Sequence, residues 1–251
     1  NDPLSGKPEF LIDGQVASAM RTGAVAGVGA ARIQGDRATT ATVIGPGVIG
    51  QTSALALDSA LDALETLRIH HPEAWKAEAF ADEMAADIDA TIVPVSDPVE
   101  AVSGSDVTVV AATGSPPPKI EGSWLTDDCL VIPLGDLRTD LAAFDPGLIF
   151  CDIRRNTLEF AAHMDWQIMN ALGAAVDYDI GLDVAESDLR ALHEVIGGED
   201  TAPTQGRSIL YSPGLPMEDV AWASHVYENA AEQGLGQTLT MFEESYFSKP
   251  Y

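Results

Sequence analysis

Lysine is the scarcest charge in this chain of 251 residues: only four occur, at Lys7, Lys76, Lys119 and Lys249. With arginine they make 13 basic residues against 39 acidic ones, a formal net charge of −26. A surface so poor in positive charge repels nucleic acid and anionic membranes, so neither is expected as a partner. The acids are spread along the chain with no solid run, which excludes an acidic tail. Two readings of the charge stand side by side: adaptation to a high-salt cytoplasm, where screening tames self-repulsion, or an acidic protein from a high-GC organism, which the Ala content and the Arg-over-Lys bias also fit. Long apolar runs are missing too; none reaches the roughly 18 residues that crossing a membrane requires. The opening Asn1-Asp2-Pro3-Leu4 is polar and lacks a basic region before an apolar core, so no signal peptide is expected and the predicted location is cytoplasmic. Cysteine is limited to Cys129 and Cys151, each in an apolar strand-like run. Buried free thiols are the default, with a single disulfide left open. HExxH and clustered Cys/His spacings are absent, so no metal site is expected. The G-x-S-x-G elbow and the G-x-x-x-x-G-K-[ST] loop are absent as well, which argues against hydrolase and P-loop chemistry.

What is present centres on Thr40 to Ile69. Val43-Ile44-Gly45-Pro46-Gly47-Val48-Ile49-Gly50 reads as a buried strand, a tight turn and the start of a helix rich in Ala and Leu. The Gly45-x-Gly47-x-x-Gly50 spacing suits a dinucleotide pyrophosphate. The first Gly allows the turn, the second lets backbone approach the phosphates, and the third lets the helix pack on its strand. The phosphates would meet unpaired N–H groups of Gly47, Val48, Ile49 and Gly50 at the positive end of the helix dipole. The alternative is a Gly-rich turn that binds nothing.

Around this turn the pattern predicts an α/β fold with a parallel sheet. Residues 2–8 are turn chemistry and 9–13 read as a strand, half of a hairpin. Residues 14–33 read as one helix with small residues on several faces (Ala17, Ala19, Gly23, Ala24, Ala26, Gly27, Gly29, Ala30), which permits close approach of other backbone. A break at Gln34-Gly35-Asp36 marks the first boundary. Strands are then expected at 40–45, 65–70, 91–95, 106–111, 129–133 and 148–152, and helices at 47–62, 73–86 and 97–103. Residues 154–197 read as mostly helical, 197–203 as a loop and second boundary, 209–211 as a short strand and 217–233 as a helix.

The acid that usually bonds the adenine ribose at the end of the second strand is missing; His70-His71-Pro72-Glu73 stands there, so His71 is the candidate ribose contact. No phosphate-binding Arg replaces it, and the negative surroundings favour NAD over NADP without excluding the latter. Adjacent His70 and His71 point to opposite sides of a strand and would not chelate one metal. Asp136, in Pro133-Leu134-Gly135-Asp136, follows an apolar strand at the carboxyl edge of the sheet, where a carboxylate suits general acid/base work. The competing reading is a turn aspartate bonding its own backbone.

Six motifs in order resemble the ornithine cyclodeaminase/mu-crystallin family. They are Asp2-Pro3-Leu4-Ser5-Gly6-Lys7-Pro8 with Leu11-Ile12-Asp13-Gly14, then Met20-Arg21-Thr22-Gly23-Ala24, Val43-Ile44-Gly45-Pro46-Gly47, Ala112-Thr113-Gly114-Ser115-Pro116, Gly135-Asp136, and Tyr211-Ser212-Pro213-Gly214-Leu215-Pro216-Met217-Glu218-Asp219. The resemblance implies a Rossmann-type parallel-sheet domain, residues 35–203, inserted into a smaller α+β catalytic and dimerisation domain formed by 1–34 and 204–251. It implies that Arg21 clamps a substrate α-carboxylate, that Asp136 is the general acid/base, and that Pro213 and Gly214 line the substrate pocket through backbone. Thr113 and Ser212 would touch the cofactor, with Arg138 standing in for the Lys that the family carries after its Gly-Asp. The implied activity is NAD(P)-dependent hydride transfer at an amino acid's Cα through an imine, as a cyclodeaminase, a dehydrogenase or an imine reductase, in a homodimer. The alternative is a crystallin-like protein that binds NAD(P) without turnover. The family also carries a segment ahead of its hairpin, with a substrate-binding Lys and much of the dimer interface; the resemblance here starts after it, which fits either a piece of a longer chain or a degenerate member.

Overall fold

The computed structural model describes residues 2, 4, 6–177 and 189–240. Asn1, Pro3 and Ser5 of the opening turn, part of the helical stretch expected at 154–197, and residues 241–251 of the expected C-terminal piece lie outside the described residues.

Among the described residues eight strands form one sheet: β1 (Thr40–Ile44), β2 (Thr66–His70), β3 (Thr91–Val95), β4 (Val107–Val110), β5 (Cys129–Pro133), β6 (Ile149–Cys151), β7 (Arg190–Ala191) and β8 (Arg207–Tyr211). Their order is β3-β2-β1-β4-β5-β8-β6-β7, and every pairing is parallel. The helices are α1 (Gly14–Ile33), α2 (Val48–Ala60), α3 (Ala74–Met84), α4 (Pro98–Val102), α5 (Arg154–His163), α6 (Gln167–Asp177), α7 (Leu192–Gly197) and α8 (Pro216–Glu232). Successive residues of the central strands enter opposite cores. Leu130, Ile132, Phe150 and Leu210 pack with α1, α2, α3 and α7. Val131, Ile149, Cys151, Ile209 and Tyr211 pack with α5 and α6. Strands covered on both faces must be apolar throughout, which is why 129–133 and 149–151 read as unbroken hydrophobic runs.

The small residues of α1 have a specific purpose. A Cβ at Gly23 would lie 2.4 Å from the Thr52 carbonyl carbon, and one at Gly27 would lie 2.6 Å from the Ala56 oxygen. The backbone that approaches is therefore that of α2, and the buried Thr52 hydroxyl donates across the contact to the Ala19 carbonyl at 2.8 Å. Asp13 caps α1 by accepting from the Gln15 N–H at 2.8 Å.

One expectation needs correction. Residues 9–13 form no strand, and among the described residues none pairs with them in a ladder. The chain there is exposed apart from Phe10, whose ring stacks on Tyr227 of α8 at 4.8 Å. The opening turn does close, with the Asp2 N–H donating to the Lys7 carbonyl and the Gly6 N–H to the Asp2 carbonyl. The strand expected at 209–211 is present and differs only in extent. It is β8, five residues long, and it lies inside the parallel sheet between β5 and β6. Residues 207–211 thus form a core strand of the parallel sheet, and α1 packs on that sheet and on α2 as well as against α8.

Candidate active site

In an open parallel sheet the ligand crevice lies beyond the carboxyl ends of the strands, where the strand order reverses. Here that point falls between β1 and β4. β1 ends at Ile44, and Gly45 turns the chain away with φ +106°, a left-handed conformation that side chains rarely adopt. Its N–H donates to the His70 carbonyl at 3.1 Å. A Cβ on Gly45 would meet Ala112 Cα and N at 2.8 Å, so only glycine fits between β1 and the loop after β4. Gly47 precedes α2 with open space where a Cβ would be. No side chain caps α2 and its first turn carries no acid, so the first N–H groups, of Val48, Ile49 and Gly50, face the crevice without a competing charge. At Gly50 a Cβ would sit 2.0 Å from the Gly45 oxygen and 3.3 Å from Val43 Cγ1. These residues fit a dinucleotide pyrophosphate.

β2 ends beside this turn. The buried His70 donates through Nδ1 to the Val95 carbonyl at 3.1 Å, and burial is the main cause that lowers its pKa. His71, half-buried, accepts the Glu73 N–H on Nδ1 at 3.0 Å. Arg68 is committed to the carbonyls of Glu100, Ala101 and Ser103, and Lys76 is paired with Glu73. No free cation waits near His71 among these neighbours for an extra phosphate.

Across the reversal, Thr113 is exposed at the end of β4. Gly135 follows β5, and a Cβ there would lie 2.7 Å from the Ala112 oxygen. Asp136 comes next, half-buried, with Oδ1 accepting from the N–H groups of Leu137 at 2.8 Å and Ile168 at 3.2 Å. The turn-aspartate behaviour is therefore real, yet it coexists with a place on the carboxyl edge. Arg138 donates through Nε to the Pro117 carbonyl at 2.9 Å and through its amide to the Pro118 carbonyl, tying the proline loop to the Gly-Asp loop.

α1 and the start of α8 form the other wall. A cleft of about 490 Å³ runs between Gly14, Gln15, Ser18 and Ala19 of α1 and Val48 and Ile49 at the glycine turn. Arg21 lies one turn beyond Ser18, its Nη2 3.5 Å from the Ser18 hydroxyl. Its Nε donates to Asp219 Oδ1 at 3.0 Å, and Nη1 is 3.6 Å from Glu218 Oε2. Glu218 also accepts the Leu215 N–H at 3.1 Å, closing the N-terminus of α8; burial is the main cause that raises its pKa. Gly214, buried with φ +89°, lets the guanidinium pass: a Cβ there would be 2.3 Å from Nη1. Arg21, Pro213 and Gly214 are thus brought together, and Ser212 stands at the end of β8 beside them.

One acid of this wall escaped the sequence reading. Asp152, at the end of β6, is only 5% exposed. Its Oδ2 accepts the Gly214 N–H at 3.4 Å and its Oδ1 has no partner. Burial, then the negative charge of Glu218, pushes its pKa up to about 7, against the pull of Ser212, Gly214 and Arg21. The signal was available, since Asp152 follows an apolar strand as Asp136 does. Cys129 and Cys151 are both free and buried, and burial raises the thiols to about 11 and about 12. Among the described residues no group of three or more His, Cys, Asp or Glu is placed to hold a metal ion, and no helix is long and apolar enough to cross a membrane.

An all-parallel sheet covered on both faces, with a glycine cradle at its reversal point, defines a dinucleotide-binding α/β protein of the Rossmann type. The family model for the ornithine cyclodeaminase/mu-crystallin family matches residues 1–234, and the chain belongs to that family. An N-((2S)-2-amino-2-carboxyethyl)-L-glutamate dehydrogenase from Staphylococcus aureus is 24% identical over 252 residues, covering 96% of this chain and 70% of the relative. A Delta(1)-pyrroline-2-carboxylate reductase from Bacillus cereus is 25% identical over 249 residues, covering 95% and 72%. Among solved structures, the Thermococcus litoralis Delta(1)-pyrroline-2-carboxylate reductase in complex with NADH and L-proline matches with a TM-score of 0.78 at 24% identity, over 95% of this chain and 72% of that one. An archaeal alanine dehydrogenase dimer with bound NAD matches with a TM-score of 0.75 at 24% identity, over 96% and 73%. These likenesses establish the fold.

Proposed function

We propose that the protein is an NAD(H)-dependent oxidoreductase that moves a hydride between the nicotinamide and the Cα of a small amino acid or its imine. The observation that carries the reading is the arrangement at the carboxyl edge: an uncapped glycine cradle at the strand reversal, with Asp136 two strands along and Arg21 across the cleft. The relatives named above act on amino or imino acids by their names, which supports the substrate class.

A bound nicotinamide supplies the hydride donor or acceptor. The chain's own residues do the rest. The α2 N-terminus, Gly45 and Gly47 would hold the pyrophosphate and His71 the ribose, while Thr113, Ser212 and Arg138 would border the nucleotide. The fork of Arg21 receives the substrate carboxylate, a planar match that orients Cα for transfer. Asp219 holds Nε at 3.0 Å, and a substrate carboxylate would take over the longer contacts of the Nη groups with Glu218 and Ser18. Pro213 and Gly214 line the pocket, and Asp136 moves a proton at the imine nitrogen or a water at the imine carbon. In the reducing direction the nicotinamide would supply a hydride to the imine carbon and become oxidised, while Asp136 would pass the balancing proton to the imine nitrogen to give the amino acid. A cyclodeaminase would instead use the imine for attack by the substrate's own side-chain amine, release ammonia and return the hydride.

We also propose a homodimer, with residues 1–34 and the segment from 212 onward as its catalytic and dimerisation part. Exposed Leu11, Val16, Met20, Met217 and Val220 on α1, α8 and the segment before α1 support it, and light scattering in solution tests it. The functional test is calorimetry with NADH and NADPH followed by turnover on a panel of amino and imino acids. Tight NADH binding with turnover that falls by about 10²-fold or more in Asp136→Asn is expected. Binding without turnover would favour the crystallin-like alternative, and no binding of either nucleotide would defeat both.

A further inference from the structure

Asp152 has no part in the scheme above, and its position is expensive. A buried carboxylate with one oxygen unpaired costs several kcal/mol in general, and an apolar or amide side chain of similar size would cost less. Nothing in the packing of β6 requires an acid at that point. What Asp152 touches is the substrate wall. Its Oδ2 accepts the N–H of Gly214, whose missing Cβ is the space that Arg21 Nη1 occupies. From Asp152 through one peptide to the guanidinium is therefore a continuous contact, and Ser212 joins it from the same strand end.

We propose that Asp152 is a positioning residue for the substrate carboxylate: from behind the end of β8 it sets where the Gly214 backbone, and so the Arg21 guanidinium, stands. The proposal rests on the reading that Arg21 receives the substrate. The groups around Asp152 are few. α1 contributes Arg21, and α8 contributes Glu218 beside it and Asp219 through Arg21. α7 contributes His193, whose Nδ1 bonds the Asp152 carbonyl, and Glu194, which is locked to Arg154 of α5. Cys151 precedes it on β6. In the neutral form, the carboxyl adds no charge to a wall that already holds Glu218 and Asp219. In the ionised form, it adds a negative charge behind the place where a substrate anion must sit. Substrate affinity should therefore weaken as pH rises through about 7, the value to which burial pushes Asp152.

The test uses the whole protein and Asp152→Asn, with two readouts. The first is the NMR signal of the Arg21 Nε–H group, assigned by its loss in Arg21→Lys. In the wild type it should shift with an inflection near neutral pH, and in Asp152→Asn that inflection should vanish. The same inflection in both proteins would assign it to Glu218 or Asp219 and overturn the proposal. The second readout is steady-state kinetics with whichever panel substrate turns over. The KM of the wild type should rise several-fold above neutral pH. In the variant, whose amide oxygen can still accept the Gly214 N–H, KM should be flat with pH and close to that of the wild type below neutral pH, whereas Asp152→Ala, which removes the acceptor, should raise KM about tenfold at every pH, with kcat changed less and NADH affinity within twofold in both. An unchanged KM profile would overturn the positioning role even if the NMR signal responds. A wild type that binds NADH but turns over nothing would sink the functional reading instead, and the Arg21 signal would still decide whether Asp152 governs the guanidinium.

Discussion

Replacing Asp152 by Asn should make the protein more stable, and more so at high pH than at low. An ordinary aspartate ionises near 3.8, and in the fold Asp152 does so at about 7. A group whose folded pKa is raised holds its proton more tightly when folded. The stability it contributes is complete below the unfolded value and is lost as pH climbs through the folded one. Between about pH 5.5 and about pH 8.5 the wild type crosses roughly 1.5 units of this window, and at ~1.36 kcal/mol per unit that is about 2 kcal/mol. Asn has no proton to lose. The gain from Asp152→Asn, measured by urea unfolding at the two pH values, should therefore be larger at the higher pH by about 2 kcal/mol. Taking this difference of differences removes most other titrating groups, which are common to both proteins. The Gly214 N–H keeps an acceptor in the variant, since the Asn amide oxygen can take the place of the carboxyl oxygen, so this bond contributes alike at both pH values. An equal effect at both pH values, or a variant less stable at high pH, would refute the claim that a buried, strained carboxylate stands behind β8.

The glycines give sharper local tests. Gly50→Ala forces a Cβ to within 2.0 Å of the Gly45 oxygen, so α2 must shift from β1; NADH affinity measured by calorimetry should fall at least tenfold. Gly23→Ala drives a Cβ into the Thr52 backbone at 2.4 Å and should cost about 1–3 kcal/mol in urea unfolding, the usual range for overpacking. The net charge of −26 should make stability rise from dilute buffer to molar KCl if the acidic surface is an adaptation to salt, and a flat thermal midpoint would remove that reading.

The glycine turn was the most legible part of the sequence because each of its glycines answers a local demand, and local demands are written in neighbouring residues. The small-residue helix α1 was legible as an element and as a surface for close approach, but its partner α2 was not nameable, since Gly23 and Gly27 say how near a backbone comes and not whose. β8 shows the limit more clearly. Ile209-Leu210-Tyr211 reads as a strand from its side chains, yet its insertion between β5 and β6 is settled by pairing with residues about 60 and 80 positions away. Local composition carries no such information. The strand expected at 9–13 failed for the same reason in reverse: apolar residues were present, and among the described residues no edge pairs with them. Asp136 drew attention through its Gly-Asp turn, while Asp152 occupied the equivalent place one hydrophobic run later without a motif to mark it. Its burial and its hold on Gly214 arise only when β6 and β8 lie side by side.

The central claim is that the cradle at Gly45 to Gly50 delivers a hydride to, or takes one from, the Cα of an amino acid held by Arg21. Incubating the protein with NADH deuterated at the nicotinamide C4 and a panel of α-imino acids, then weighing the products by mass spectrometry, tests it most directly. One deuterium is expected at Cα of the amino acid formed, delivered from a single face of the nicotinamide and lost in Asp136→Asn. An amino acid free of deuterium, or no product from a protein shown to bind NADH, would contradict it.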